Sequence, residues 1–138
     1  PNAENIEAYF EIALHSLHSK LWQLDNVGFA NLYSEVLQKA NTIEGSYWED
    51  RVKLIKILKL SHDRQFNKCH DTLLEYLNSF SSKHGQHPDE IIWKPYLAFS
   101  MHFGQVDFEL AHDLYLESNE ILKQQFYCYE NYMQMKRA

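Results

Sequence analysis

From Ile91 to Leu122 the chain reads IIWKPYLAFSMHFGQVDFELAHDLYLESNEIL, two apolar patterns of helical period separated by Gly104-Gln105. Trp93, Tyr96 and Phe99 stand three apart, which predicts three large rings along one face of a first helix. Phe108, Ala111, Leu114, Tyr115, Ser118 and Leu122 recur at spacings of three and four and predict a second. Asp107 is placed to cap it, because a carboxylate accepts from the backbone N–H groups that a helix start leaves unpartnered. Two helices with so much ring surface cannot bury it against each other alone. They need neighbours of the same kind, and that need constrains the fold more than any other feature.

The preceding residues supply such neighbours. Residues 3–24 carry Ile6, Phe10, Ala13, Leu14, Leu17, Leu21 and Leu24 as one apolar stripe. Asp25-Asn26 with Gly28 marks a turn, and a second helix from about Val27 to Thr42 turns Phe29, Leu32, Tyr33, Val36, Leu37 and Ala40 inward. Ser46 with Glu49 three residues on has the form of a capping box for a third helix, Tyr47 to about His62, which buries Trp48, Val52, Ile55 and Leu58. A fourth runs from Gln65 to about Ser81 with Phe66, Cys69, Leu73, Tyr76, Leu77 and Phe80. The polar stretch SSKHGQHPDE then reads as a linker before the fifth, where Pro95 either kinks the helix or marks its start. Residues 124–138 extend the sixth helix or begin a seventh. With only four Gly and three Pro, the 138 residues leave little room for the turns of an all-β fold, and a hydrophobic content of 45% excludes a disordered chain. The expected fold is all-α.

Three segments align in register: FANLYSEVL (29–37), CHDTLLEYL (69–77) and AHDLYLESN (111–119), offset by 40 and 42 residues. Each places Glu seventh, at Glu35, Glu75 and Glu117, and His-Asp recurs at His70-Asp71 and His112-Asp113. Trp48 and Trp93 are 45 apart. A helix-pair period of this size indicates an α-solenoid, with repeats near 4–42, 46–81 and 88–122 and a terminal helical segment over 123–138. The chain opens with Pro1 and stops in an aromatic-rich stretch, so a fragment of a longer protein is expected.

Trp93, Tyr96 and Phe99 followed by Ala111, Leu114 and Tyr115 resemble a HAT (half-a-TPR) repeat, with its Trp-x-x-Tyr-x-x-Phe first helix and Ala-x-x-aliphatic-aromatic second. The resemblance is good over 91–122, partial over 47–80 and weak over 4–42. Ser100 and His112 stand where the family often has Glu and Arg, and Trp48 is not followed by the Tyr and Phe, so a divergent TPR or a HEAT-like array stays open. HAT-repeat proteins are typically scaffolds of RNA-processing assemblies. The resemblance therefore implies a nuclear protein whose partners are the subunits of a splicing, 3′-end processing or ribosomal RNA maturation complex, with a homodimer left open.

A net charge of −6 disfavours holding nucleic acid by phosphate neutralisation. RNA contact is expected to be indirect or weak. The competing expectation is a direct RNA-binding face made by Lys53, Lys56 and Lys59, which share one side of the third helix. Cys69 and Cys128 lack any paired spacing and point to a reducing intracellular compartment. No run approaches the ~20 apolar residues of a membrane span. His15 with His18 and His84 with His87 lack a third zinc ligand at a recognised spacing, and they read as exposed polar residues. Cys69 and His70, about 100° apart on a helix, do not face each other as nucleophile and base. No Gly-rich phosphate loop occurs, so neither an enzyme nor a cofactor is expected. Phe126, Tyr127, Tyr129, Tyr132 and Met133 carry too many rings for one buried stripe and are expected to meet a protein partner.

Overall fold

The computed structural model describes residues 3–104 together with 113, 114, 116, 117 and 120. The described residues contain five α-helices and no strand: α1 (Ala3–Trp22), α2 (Asn26–Asn41), α3 (Tyr47–His62), α4 (Phe66–His84) and α5 (Glu90–Gly104).

Short joints decide the topology. Only residues 23–25 separate α1 from α2, and only 63–65 separate α3 from α4, so each helix must turn back along its predecessor. The two joints share one backbone construction 40 residues apart. Leu24 and Arg64 both adopt the left-handed conformation, with φ of 57° and 61°. Asp25 N–H donates to Lys20 C=O at 3.1 Å and Gln65 N–H to Leu60 C=O at 2.8 Å, closing each helix with the long bond of a Schellman-type end. The next helix opens alike in both, with Phe29 N–H donating to Asp25 C=O and Cys69 N–H to Gln65 C=O. The 40-residue offset read from side chains is therefore also written in the backbone. Leu24, expected in the apolar stripe of α1, is instead solvent-exposed, because the left-handed joint has already turned the chain.

α3 is the hub. It touches α1, α2, α4 and α5, while α1 also meets α2 and α4 meets α5. Its Val52, Leu54, Ile55 and Leu58 are fully buried, and they join Phe10, Leu14 and Leu17 of α1, Phe29, Val36 and Ala40 of α2, Leu73 of α4 and Tyr96, Leu97 and Met101 of α5 in one core. The expected stripe of α3 lacked Leu54 and Arg51, both of which are buried.

Trp48 and Trp93 both pack against this core. The Trp48 ring stacks on Phe10 of α1 at 4.9 Å. The three rings of α5 do not share one face. Tyr96 is buried, Trp93 half-buried and Phe99 exposed. Steps of three residues drift about 60° each around a helix, so after two steps Phe99 has left the stripe, and Leu97, Ala98 and Met101 take the core positions. Pro95 lies inside α5, which continues through it to Gly104 although the proline has no N–H to donate to the carbonyl four residues earlier.

Two local expectations are corrected. Ser46 precedes α3 but makes no capping bond; its hydroxyl faces His84 Nε2 at 3.4 Å. α4 runs to His84 rather than Ser81, because the His84 ring packs on Phe80 at 4.8 Å and its Nε2–H donates to Asp50 at 2.8 Å. Gly85, at φ 85°, then ends the helix. Beyond α5, residues 113, 114, 116, 117 and 120 are helical. Leu114 packs on the core and Glu117 accepts from Lys94 Nζ at 2.8 Å, which places Glu117 beside α5. Ala111, Tyr115, Phe126, Tyr127, Tyr129, Tyr132 and Met133 lie outside the described residues.

Candidate functional site

Two polar clusters tie α1, α3 and α5 together, one at each end of α3. The first surrounds Arg51, which is only 3% exposed. Its Nη1–H donates to Glu11 of α1 at 2.5 Å, and its Nη2–H and Nε–H make a two-pronged contact with Asp89, ahead of α5, at 2.8 and 3.2 Å. The guanidinium also lies over the Trp48 ring, 5.1 Å from its centre. Burial alone would lower the Arg51 pKa, but Glu11 and Asp89 together raise it. Beside it Asp89 N–H donates to His87 Nδ1, which leaves the His87 proton on Nε2. That proton is given to the Tyr76 hydroxyl at 3.0 Å, and Tyr76 O–H donates to Asp50 C=O at 2.5 Å. Burial pushes the His87 pKa down to about 4, against an upward pull from Asp89.

His84 and His87 were expected in an exposed linker. Both are drawn into this cluster, and His87 is 7% exposed. Sequence reasoning missed Arg51 as well. The available signal was an arginine three residues after Trp48, on the buried stripe of α3, with Glu11 at the equivalent place 40 residues earlier.

The second cluster lies at the far end of α3, on the order of 16 Å along the helix. Trp22 Nε1–H donates to His18 Nε2 at 3.2 Å, and the Tyr96 hydroxyl is 3.1 Å from the same nitrogen and 2.5 Å from His62 Nε2. With both imidazoles neutral, every contact finds a donor in one way only. His62 Nε2–H donates to Tyr96, Tyr96 O–H donates to His18, and His18 carries its proton on Nδ1. Burial lowers the pKa of His18 and of His62, in His18 with added repulsion from His62 and His15. Burial likewise raises that of the Tyr96 hydroxyl.

Beside this cluster a groove of about 260 Å³ is lined by Trp22, Ser61, His62, Arg64, Phe66, Pro95, Tyr96 and Phe99. Three rings continue its wall: Phe66 lies 5.7 Å from Phe99 and 5.5 Å from Phe103, and Phe99 lies 4.3 Å from Phe103. Trp22 remains 66% and Phe103 52% exposed. Large rings left in water beside a concavity mark a place where another surface can sit.

Lys53, Lys56 and Lys59 project from α3, and each is engaged. Lys53 pairs with Glu49 at 2.9 Å, Lys59 with Asp63 at 2.7 Å, and Lys56 lies over the Tyr33 ring at 5.4 Å. Cys69 is fully buried, with its thiol 3.6 Å from Ile57 C=O, and burial raises its pKa. Such a thiol is poorly suited to nucleophilic chemistry. Among the described residues no group of three or more His, Cys, Asp or Glu is arranged to hold a metal ion, and no helix is long and apolar enough to cross a membrane.

No protein-family model, curated protein or solved structure matches the chain. The site must be interpreted from its own geometry.

Proposed function

We propose that this chain is a non-catalytic scaffold, a short α-solenoid of HAT- or TPR-like helix pairs that holds other proteins. The observation that carries this is the recurrence of one joint at 40 residues, combined with α1, α3 and α5 lying side by side along α3. Helix pairs added at a fixed period build a continuous core and leave a face along which a partner can lie. The ringed groove between Trp22 and Phe103 supports this reading, because it offers a concave apolar surface where a partner could sit. A nuclear RNA-processing assembly is the proposed setting, and that part rests on the sequence resemblance of Trp93, Tyr96, Phe99, Ala111, Leu114 and Tyr115 to a HAT repeat.

The competing possibility is direct RNA binding through Lys53, Lys56 and Lys59. Carboxylates already meet Lys53 and Lys59, so phosphate contact there would have to displace them, which favours the protein-binding scaffold. Crosslinking the tagged chain in nuclear extract, with and without ribonuclease and at two salt concentrations, tests both. A scaffold keeps its protein crosslinks after ribonuclease and tolerates the higher salt. Contacts that vanish on ribonuclease treatment and weaken steeply with salt would favour RNA instead. Recovery of partners unrelated to RNA processing would overturn the setting alone.

A further inference from the structure

We propose that the groove formed by the C-terminal ends of α1 and α3, the start of α4 and the middle of α5 receives a peptide that inserts one large apolar side chain and sets a carboxylate beside it against Arg64. The inference rests on the protein-binding scaffold and names the chemistry of what is bound.

Size comes first. The groove holds about 260 Å³, below the roughly 300–1,000 Å³ of pockets that enclose small molecules. It suits a single bulky side chain. Its walls are chosen for that cargo: Trp22, Phe66, Tyr96 and Phe99 supply ring faces and edges, and Pro95 adds an apolar surface without a backbone donor. The buried hydroxyl and imidazole polar atoms nearby are satisfied by one another, so the wall makes few demands for hydrogen bonds on an incoming group.

Charge then selects the neighbour of that side chain. At this end of the molecule Lys20 pairs with Asp25 at 3.6 Å and Lys59 with Asp63 at 2.7 Å. Arg64 lines the groove and meets no carboxylate among the described residues. His18 and His62 are held neutral by burial, so Arg64 is the positive charge among the described residues that line the groove. The first turn of α4 adds to the same polarity. Forty residues earlier the Asp25 carboxylate accepts from Gly28 N–H at 2.9 Å and caps α2, whereas Gln65, the counterpart of Asp25, makes no side-chain cap. A carboxylate brought by a partner would stand beside α4 where Asp25 stands beside α2. One cation in the described lining of the groove, on a chain of net charge −6, fits one carboxylate next to an apolar anchor better than a polyacidic tract or a run of phosphates.

The test is fluorescence anisotropy of the whole chain with a fluorescein-labelled, Gly/Ser-flanked peptide carrying Trp-Asp. Matched peptides carry Trp-Asn, Trp-Lys or Ser-Asp. Saturable binding is expected for Trp-Asp, weaker by about tenfold for Trp-Asn and by more for the other two. Arg64→Gln should bring Trp-Asp down to the level of Trp-Asn while leaving Trp-Asn unchanged. Trp22→Ala should weaken both. Arg64 is exposed, so Arg64→Gln should keep the parent helicity and melting temperature. Trp22 donates to His18 and packs on His62, so Trp22→Ala should lower the melting temperature; circular-dichroism melts set a temperature at which both variants are fully folded, and anisotropy is read there. Equal affinity for Trp-Asp and Trp-Lys, or an Arg64→Gln chain that still separates Trp-Asp from Trp-Asn, would overturn the proposal. So would single-stranded RNA that displaces the peptide and is itself weakened by Arg64→Gln, which would assign the groove to nucleic acid. If protein crosslinks of the chain persist unchanged in both groove variants and the peptide does not bind, the groove is wrong and the scaffold stands. If neither peptide nor protein partner binds, both fall.

Discussion

Buried polar residues decide how this fold responds to pH. His87 has a folded pKa of about 4 against an ordinary value of 6.5, because burial disfavours its charged form. The unfolded chain therefore takes up the proton first. Stability is complete above about pH 6.5 and declines as the pH falls through the window down to the folded value, by roughly 1–3 kcal/mol. His18 and His62, also lowered, act in the same direction. Urea midpoints measured from about pH 8 to about pH 4.5 should fall, and His87→Asn should flatten the slope even if it lowers the plateau. Arg51 carries the larger static contribution. Arg51→Ala leaves Asp89 half-buried without its two-pronged partner and should cost about 3 kcal/mol in urea unfolding. Glu11→Gln, at the more exposed carboxylate, should cost about 1 kcal/mol or less.

At the scale of the helix, the joint between α1 and α2 contains a glycine whose reason is close approach. A Cβ on Gly28 would lie 2.1 Å from Asp25 Oδ2, inside the cap that holds its own N–H. Gly28→Ala should therefore destabilise the chain by about 1 kcal/mol, although alanine is the better helix former. In an Asp25→Ala background, where no carboxylate remains to be displaced, the same substitution should become neutral or stabilising. Thermal melts of the four proteins give the cycle, and an equal effect in both backgrounds would show that the cap does not require the glycine. Gly28 had looked like part of a turn from the sequence. It sits inside α2, because turn and cap signals overlap within three residues here.

For the whole molecule, the hub position of α3 predicts how the described helices unfold. Leu54 is fully buried on α3 and belongs to the shared core, so Leu54→Ala should cost about 2–5 kcal/mol. The loss should appear as one earlier transition, with helicity and tryptophan emission falling together, since Trp48 lies on α3 and Trp22 and Trp93 lie on helices that meet it. Two separated transitions would mean that α1 with α2 and α4 with α5 fold independently of the hub.

Five helices, their near-complete boundaries and most of the core were legible in the sequence, because apolar residues at steps of three and four commit a segment to burying one side wherever it ends up. The 40-residue recurrence was legible for the same reason. What the sequence left undecided was which charged and ring residues would meet across helices. Arg51 finds Glu11 and Asp89 from positions 40 and 38 residues away, and Tyr96 finds His18 from 78. Such contacts depend on how α1, α3 and α5 are rotated and placed beside one another, and no local periodicity encodes that. The groove at Trp22, Arg64 and Phe99 exists only because the end of α1, the joint between α3 and α4 and the middle of α5 come together there, so only the tertiary structure could reveal it.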